Sequence, residues 1–196
     1  MHKGLDLKKE QKKQKLLGAA YTLFTEKGVG KTSVDDIVRA AEVAKGTFYL
    51  YFKDKDALLQ QLIFNICGQV LGAAYRSMDA NRTNDFVENV VLMIDYVIEY
   101  FKKNHLALRM IQRNFSWPMV TRQLSEGTDP LWQKIVGEVS NSPLGQTGDP
   151  DEVFKIFFVL IEMIGSTCYS SIIENRPDSI DSMKPILYEI VRRALR

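Results

Sequence analysis

Apolar side chains recur at helical spacing along nearly the whole chain. The clearest early stripe occupies positions i, i+4, i+7 and i+8 of one helix face and consists of Leu16, Ala20, Leu23 and Phe24. Alternation of apolar and polar residues, which is typical of half-buried strands, does not continue over any useful length. The pattern therefore predicts an all-α protein.

Capping residues and breaks divide this pattern into separate helices. Ser33 and Asp36 have the spacing of a capping box, and Asp54 is a candidate N-cap. A loop rich in Gly, Pro and Ser is expected over residues 141–150. The first predicted helix ends near residue 28. The later helices are predicted over about 33–41, 45–52, 54–78, 85–103, 105–115, 118–124, 130–141, 151–175 and 179–196.

Residues 32–55 contain two short helical patterns that meet across a tight turn, and their side chains divide into two sets. The inward set, expected to form a small core, is Val34, Ile37, Val38, Val43, Phe48 and Phe52. The outward set is Lys45, Gly46, Thr47, Tyr49, Leu50 and Tyr51. This division suits a helix-turn-helix, in which the second helix enters the major groove of DNA while the first braces it.

The outward residues have the chemistry that DNA contact requires. Gly46 lets the backbone approach a phosphate closely. Thr47 offers a hydroxyl to phosphate and a methyl group to thymine. Tyr49 and Tyr51 carry hydroxyls on rigid arms. An aromatic-rich loop that merely packs between helices is the alternative; it explains Phe48 and Phe52, whereas Tyr49 and Tyr51, flanked by Lys45 and Lys55, favour DNA contact.

Charge adds modest support for a DNA-facing first segment. Residues 1–57 hold 12 Lys and Arg against 8 Asp and Glu, whereas residues 58–196 hold 14 against 16. Lys55 lies at the start of the next predicted helix, where it adds positive charge. Ser33 either caps the bracing helix or bonds a phosphate. The first segment is therefore the part of the chain that suits an anionic partner.

At this point the sequence resembles a known family. Residues 31–58, KTSVDDIVRAAEVAKGTFYLYFKDKDAL, look like the DNA-binding region of the TetR-type repressors, and residues 19–29, AAYTLFTEKGV, also match. The resemblance covers about residues 12–62. It implies a helix-turn-helix DNA-binding domain over 1–56, joined through a connecting helix to a larger helical domain for ligand sensing and dimerisation over 57–196.

The resemblance also implies a function. A homodimer would bind a palindromic operator in double-stranded DNA, most simply as a repressor, and a small, largely apolar effector would release it. The last two helices would pair the two copies, although ordinary packing within one copy is the alternative. The DNA contacts that the family carries over fall on Ser33, Lys45, Gly46, Thr47, Tyr49, Tyr51 and Lys55.

The second domain is rich in aromatic and methionine side chains. Most of these are expected in the core, but sites between helices are lined by the same residue types. The resemblance favours a ligand cavity lined by some of them. The candidates are Tyr96, Tyr100, Met110, Phe115, Trp117 and Phe158, together with Glu162.

Glu162 is the one charged residue within the apolar run over 156–164. A lone buried carboxylate is costly, so a partner is expected. Glu162 would pair with Arg109 or Arg113, lie at the rim of a dimer, or meet a cationic ligand.

Other classes of function find little support in the sequence. It contains no phosphate loop, dinucleotide fingerprint, nucleophile elbow or metal cluster, so no enzyme, cofactor or metal is expected. Two distant cysteines exclude a disulfide framework. Without a signal peptide or a long apolar run, we expect a cytoplasmic protein with no membrane partner. A ligand-independent architectural DNA-binding protein is the main alternative, and it predicts no cavity.

Overall fold

The computed structural model describes residues 2–115, 117, 118, 121 and 129–196, with side chains from residue 7 onward. All regular structure within these ranges is helical, which confirms the predicted all-α class. The helices are α1 (His2–Lys27), α2 (Val34–Ala40), α3 (Lys45–Tyr49), α4 (Lys55–Ala80), α5 (Phe86–Lys103), α6 (His105–Asn114), α7 (Pro130–Ser140), α8 (Pro143–Thr147), α9 (Pro150–Ile173) and α10 (Ile180–Leu195). The chain divides into two compact units, Met1–Asn65 and Ile66–Arg196, within α4.

The first unit packs α2 and α3 against α1 and the beginning of α4. Its buried side chains come from all four helices and include Leu16, Ala20, Phe24, Ile37, Val38, Phe48, Leu58, Leu59 and Leu62. The stripe predicted for α1 is therefore largely buried, with Leu23 half-exposed. α2 and α3 are too short to be stable alone, so their positions depend on this shared core.

The turn from α1 to α2 is built from a glycine and a buried threonine. Gly28 has φ +84°, and its N–H donates to the carbonyl of Phe24 at 3.1 Å. A glycine in the left-handed region is a common way for a helix to end. Thr32 is 2% exposed, and its hydroxyl donates to the carbonyl of Gly28 at 2.9 Å. The predicted end of the first helix is confirmed.

The predicted capping box at the start of α2 is also confirmed. The N–H of Ser33 donates to Asp36 Oδ2 at 2.9 Å, and the N–H of Asp36 donates to Ser33 Oγ at 3.1 Å. Lys27 Nζ lies 2.9 Å from Asp36 Oδ2. The backbone N–H of Ser33, helped by the Lys27 ammonium, holds the pKa of Asp36 well below its usual range.

The second unit is organised around a core shared by α5, α6, α9 and α10. The buried residues of this core are Val87, Val91, Ile98, Phe101, Leu108, Leu160, Ile164, Cys168, Ile180, Leu187, Val191 and Leu195. By contrast, α7 has no buried residue. The four core helices therefore form the stable body of the unit, and α7 lies at its surface.

One predicted loop is wrong in part. Residues 143–147 form the short helix α8, whereas a loop was expected over 141–150. Ser142 Oγ accepts from the N–H of Gly145 at 3.1 Å, and Pro143 occupies the first turn, where a missing N–H costs nothing. The helix predicted over 118–124 lies mostly outside the described residues.

Neither cysteine forms a disulfide, and burial raises the pKa of both Cys67 and Cys168 to about 12. Within the described ranges, no group of three or more His, Cys, Asp and Glu residues is placed to hold a metal ion. By length and composition alone, α4 and α9 are apolar enough to cross a membrane, a criterion that core helices of soluble proteins also meet.

We expect Asp36→Ala to lower the protection of α2 amides from hydrogen exchange about fivefold at neutral pH, because the capping box and the ion pair with Lys27 are lost. Asp35→Ala, at the neighbouring residue outside the capping box, is the matched control. The folded pKa of Asp36 lies below its unfolded value, so the stabilisation is present above about pH 4 and disappears as the pH falls through the lowered pKa. A difference between wild type and Asp36→Ala that stays constant on acidification would contradict this role.

Candidate nucleic-acid interface

The turn between α2 and α3 is short and tightly hydrogen-bonded. Glu42 adopts φ +55°, and the N–H of Val43 donates to the carbonyl of Val38 at 3.0 Å. The N–H of Thr47 then donates to the carbonyl of Ala44 at 2.8 Å, which begins α3. A left-handed non-glycine residue costs about 1 kcal/mol, so the surrounding packing must maintain this conformation.

Two phenylalanines anchor α3 in the first unit. Phe48 is 0% exposed and Phe52 is 4% exposed, and their ring centroids lie 5.7 Å apart. The expected inward positions of both residues are therefore confirmed. Burying a phenylalanine stabilises by about 1.5–3 kcal/mol, which is enough to fix the orientation of so short a helix.

The opposite side of α3 is open to solvent. Lys45, Gly46 and Tyr49 are exposed, whereas Thr47 and Tyr51 are half-buried. Leu50 is 80% exposed, more than any other large apolar side chain that the structure describes. The outward set predicted from the sequence thus occupies one accessible surface, and Leu50 belongs to it. We refer to Lys45, Gly46, Thr47, Tyr49, Leu50 and Tyr51 as the α3 face.

Lys45 forms an ion pair with the bracing helix. Its Nζ lies 2.8 Å from Asp35 Oδ1, and both side chains remain more than half exposed. The hydrogen bond to Asp35 raises the pKa of Lys45 above its ordinary value. The ammonium is charged at neutral pH and accessible, but it already has an anionic partner.

Lys55 has a structural function that the sequence does not reveal. Its Nζ donates to the carbonyl of Val29 at 2.8 Å and to the carbonyl of Thr32 at 2.9 Å. Both carbonyls belong to the turn between α1 and α2, so the ammonium ties the beginning of α4 to this turn. An ammonium has three donors, and these two bonds leave one for a phosphate. Ser33 caps α2 and is also exposed to solvent, so a structural function does not bury this residue either.

In the second unit, a set of charged groups joins α5 to α10. Lys184 Nζ lies 2.7 Å from Asp95 Oδ1 and also binds Glu99, and the hydroxyl of Tyr188 donates to Asp95. Burial opposes ionisation of Asp95, but the bonds from Lys184 and Tyr188 outweigh it and lower the pKa of Asp95. These partners lie 85–93 residues apart in sequence, so no local pattern indicated them.

Part of the predicted ligand set is brought together on α9 and the segment after α6. The Trp117 ring lies 4.6 Å from the Phe158 ring and 5.3 Å from the Phe115 ring, measured between centroids. Phe154, which was not in the predicted set, lies 6.3 Å from Trp117. The indole N–H of Trp117 donates to Glu162 Oε1.

Of the three environments expected for Glu162, the described residues show no pair with Arg109 or Arg113, whereas the dimer rim and a cationic ligand stay predictions. Glu162 is exposed rather than buried, and its described hydrogen bond is to the Trp117 indole rather than to an arginine. The apolar run around Glu162 is misleading because α9 is apolar on more than one side, so the same run includes both buried and exposed positions. We refer to Phe115, Trp117, Phe154, Phe158 and Glu162 as the Trp117 cluster.

The remaining predicted ligand residues lie on α5 and α6, outside the Trp117 cluster. Met110 is buried, and Tyr100 packs against the core with its ring centroid 5.8 Å from that of Phe101. Tyr96 lies half-buried on α5. The two described concavities both lie in the first unit, and neither is lined by the predicted ligand set.

Comparison with known proteins gives a family match over the first unit. The family described as "Bacterial regulatory proteins, tetR family" matches residues 16–62. The HTH-type transcriptional regulator YvdT of Bacillus subtilis is 45% identical over 60 residues, which is 31% of this chain and 31% of that protein. The chain thus spans about a third to a half of the first curated relatives that it matches.

Solved structures extend the similarity of fold to nearly the full chain. A tetR-family regulator from Shewanella has a TM-score of 0.64 at 18% identity, with 94% of this chain and 97% of that chain covered. The regulator FadR of Bacillus subtilis, solved in complex with stearoyl-CoA, has a TM-score of 0.63 at 19% identity over 93% and 99% of the two chains. Residues 16–62 therefore match the tetR family of bacterial regulatory proteins by sequence, and the fold of the chain is similar to that of solved tetR-family regulators.

Proposed function

We propose that this protein is a transcriptional repressor that binds a palindromic operator as a homodimer through the α3 face. The observation that carries the proposal is the arrangement of α3, with Phe48 buried on one side and the α3 face on the other. Among its relatives, YvdT is described as a transcriptional regulator. A small, largely apolar effector held by the second unit would release the DNA.

On this proposal the α3 face makes two kinds of contact. Lys45, Gly46 and Tyr49 meet phosphates, which position the protein without reading sequence. Leu50 and the Thr47 methyl group meet thymine methyl groups in the major groove. Leu50 is 80% exposed, so its side chain is accessible for such a contact.

Tyr49→Phe tests the phosphate contact. Removing the hydroxyl should weaken binding to double-stranded DNA about fivefold, because a hydrogen bond to an anionic oxygen is lost while the ring remains. Tyr21→Phe is the matched control, since Tyr21 is an exposed tyrosine on α1. Gel-shift titration compares the two variants with wild type. Equal affinity of Tyr49→Phe and wild type would remove Tyr49 from the proposed contacts.

The homodimer is supported by the outer surfaces of α9 and α10. Six large apolar side chains there are between 37% and 60% exposed: Phe154, Phe158, Val159, Ile161, Ile186 and Ile190. Both helices also bury other apolar residues in the core, so each carries apolar side chains at core positions and at outer positions. A second copy that presents the same surface about a two-fold axis would cover these side chains.

Ile190→Glu tests this dimer surface. A carboxylate placed against its own copy across a two-fold axis should shift the protein from dimer to monomer, and weaken DNA binding as a consequence. Val136→Glu is the control, because Val136 is a comparably exposed apolar residue on α7. Sedimentation velocity measures the mass of each variant. A dimeric Ile190→Glu variant would place the interface elsewhere.

The effector proposal is supported by the Trp117 cluster, in which aromatic rings and one carboxylate converge. FadR of Bacillus subtilis, which shares the fold, was solved with stearoyl-CoA, a ligand that has a long apolar chain. Phe154 and Phe158 belong to both the Trp117 cluster and the proposed dimer surface. An effector that displaced Trp117 would therefore act on the helix that pairs the two copies. The alternative, an architectural DNA-binding protein, predicts that no small molecule releases the DNA.

A further inference from the structure

The ion pair between Asp35 and Lys45 lies on the surface that the proposed function assigns to DNA. Its two atoms are 2.8 Å apart, with 54% of the Lys45 side chain and 58% of the Asp35 side chain exposed. An ion pair this exposed contributes little to folding, because water screens the attraction and ordering two long side chains costs entropy. Stabilisation of the fold therefore does not account for the presence of this ion pair.

The neighbouring carboxylate, Asp36, has a structural function that can be compared with that of Asp35. Asp36 accepts hydrogen bonds from the N–H and the hydroxyl of Ser33 and pairs with Lys27. Asp35 takes no part in that capping box, and its described ion pair is with Lys45. Both acids lie in the first turn of α2, where each interacts favourably with the helix dipole. The contact with Lys45 is the feature that distinguishes Asp35.

A carboxylate next to a DNA-facing lysine has a direct effect on phosphate binding. A phosphate can pair fully with Lys45 only if the ammonium leaves Asp35 or shares its donors with it. Affinity for DNA of any sequence depends on the number of phosphates that lysines and arginines neutralise, through the release of counterions. A lysine that already has an anionic partner contributes less to this number.

We infer that Asp35 acts as an intramolecular substitute for a DNA phosphate at Lys45 and thereby lowers the affinity of the protein for duplexes of any sequence. The inference rests on the proposed function, because it requires the α3 face to meet DNA. Its consequence is selectivity in the cell, where non-specific sites greatly outnumber operators. With Lys45 restrained, contacts to bases account for a larger share of the binding energy than they would without Asp35.

Asp35→Asn tests this inference without knowledge of the operator. The variant should bind a mixed-sequence duplex about threefold more tightly than wild type at about 50 mM salt. Its affinity should also fall more steeply between about 50 and 200 mM salt, since one more phosphate is neutralised per protomer. Fluorescence anisotropy with a labelled duplex measures both quantities. Glu174→Gln, which removes one exposed carboxylate from the second unit, is the charge-matched control.

A double-mutant cycle with Lys45→Met shows whether Asp35 acts through Lys45. In the Lys45→Met background, Asp35→Asn should change the affinity by less than about 1.5-fold. An equal gain in both backgrounds would mean general repulsion of DNA by Asp35 and would overturn the inference. Weaker binding by Asp35→Asn would also overturn it, because Asp35 would then hold Lys45 in its binding position. If wild type binds no duplex even at low salt, the proposed function itself fails.

Discussion

The α3 face, which we propose meets DNA, depends on the burial of one side chain, Phe48. A helix as short as α3 has almost no stability of its own, so its direction is set by what it buries. Phe48 is fully buried and contacts Phe52, which lies just after the helix. With those two rings held inward, helical geometry turns Tyr49 and Leu50 outward. The proposed base and phosphate contacts take their positions from that anchor.

Charged groups in both units serve mainly to hold elements together. In the first unit Lys27 pairs with Asp36, and Lys55 ties α4 to the turn after α1. In the second unit Lys184 joins α10 to Asp95 on α5. The pair between Lys45 and Asp35 differs from these, because both of its side chains are largely exposed on the α3 face. Charge therefore holds elements together in most places, and we infer that at Asp35 and Lys45 it moderates affinity for DNA.

Local features of the fold followed well from the sequence, whereas long-range contacts did not. The capping box at Ser33 and the burial of Phe48 depend on residues a few positions apart, so their spacing was sufficient. The position of Lys55 depends on carbonyls 23 and 26 residues away, and that of Lys184 on acids more than 80 residues away. Glu162 was expected to need a partner because its neighbours in sequence are apolar. On α9, however, apolar residues also cover an outer surface, and hydrophobicity alone does not distinguish a core from an interface.

Selection of bound duplexes from a random-sequence pool tests the proposed reading of DNA most directly. If two copies present α3 about a two-fold axis, the enriched sequences will be palindromic. Their half-sites will lie one DNA turn, about 34–36 Å, or a multiple of it apart. Enrichment of single, unpaired half-sites would contradict the homodimer, and binding without any enriched sequence would contradict sequence recognition by the α3 face.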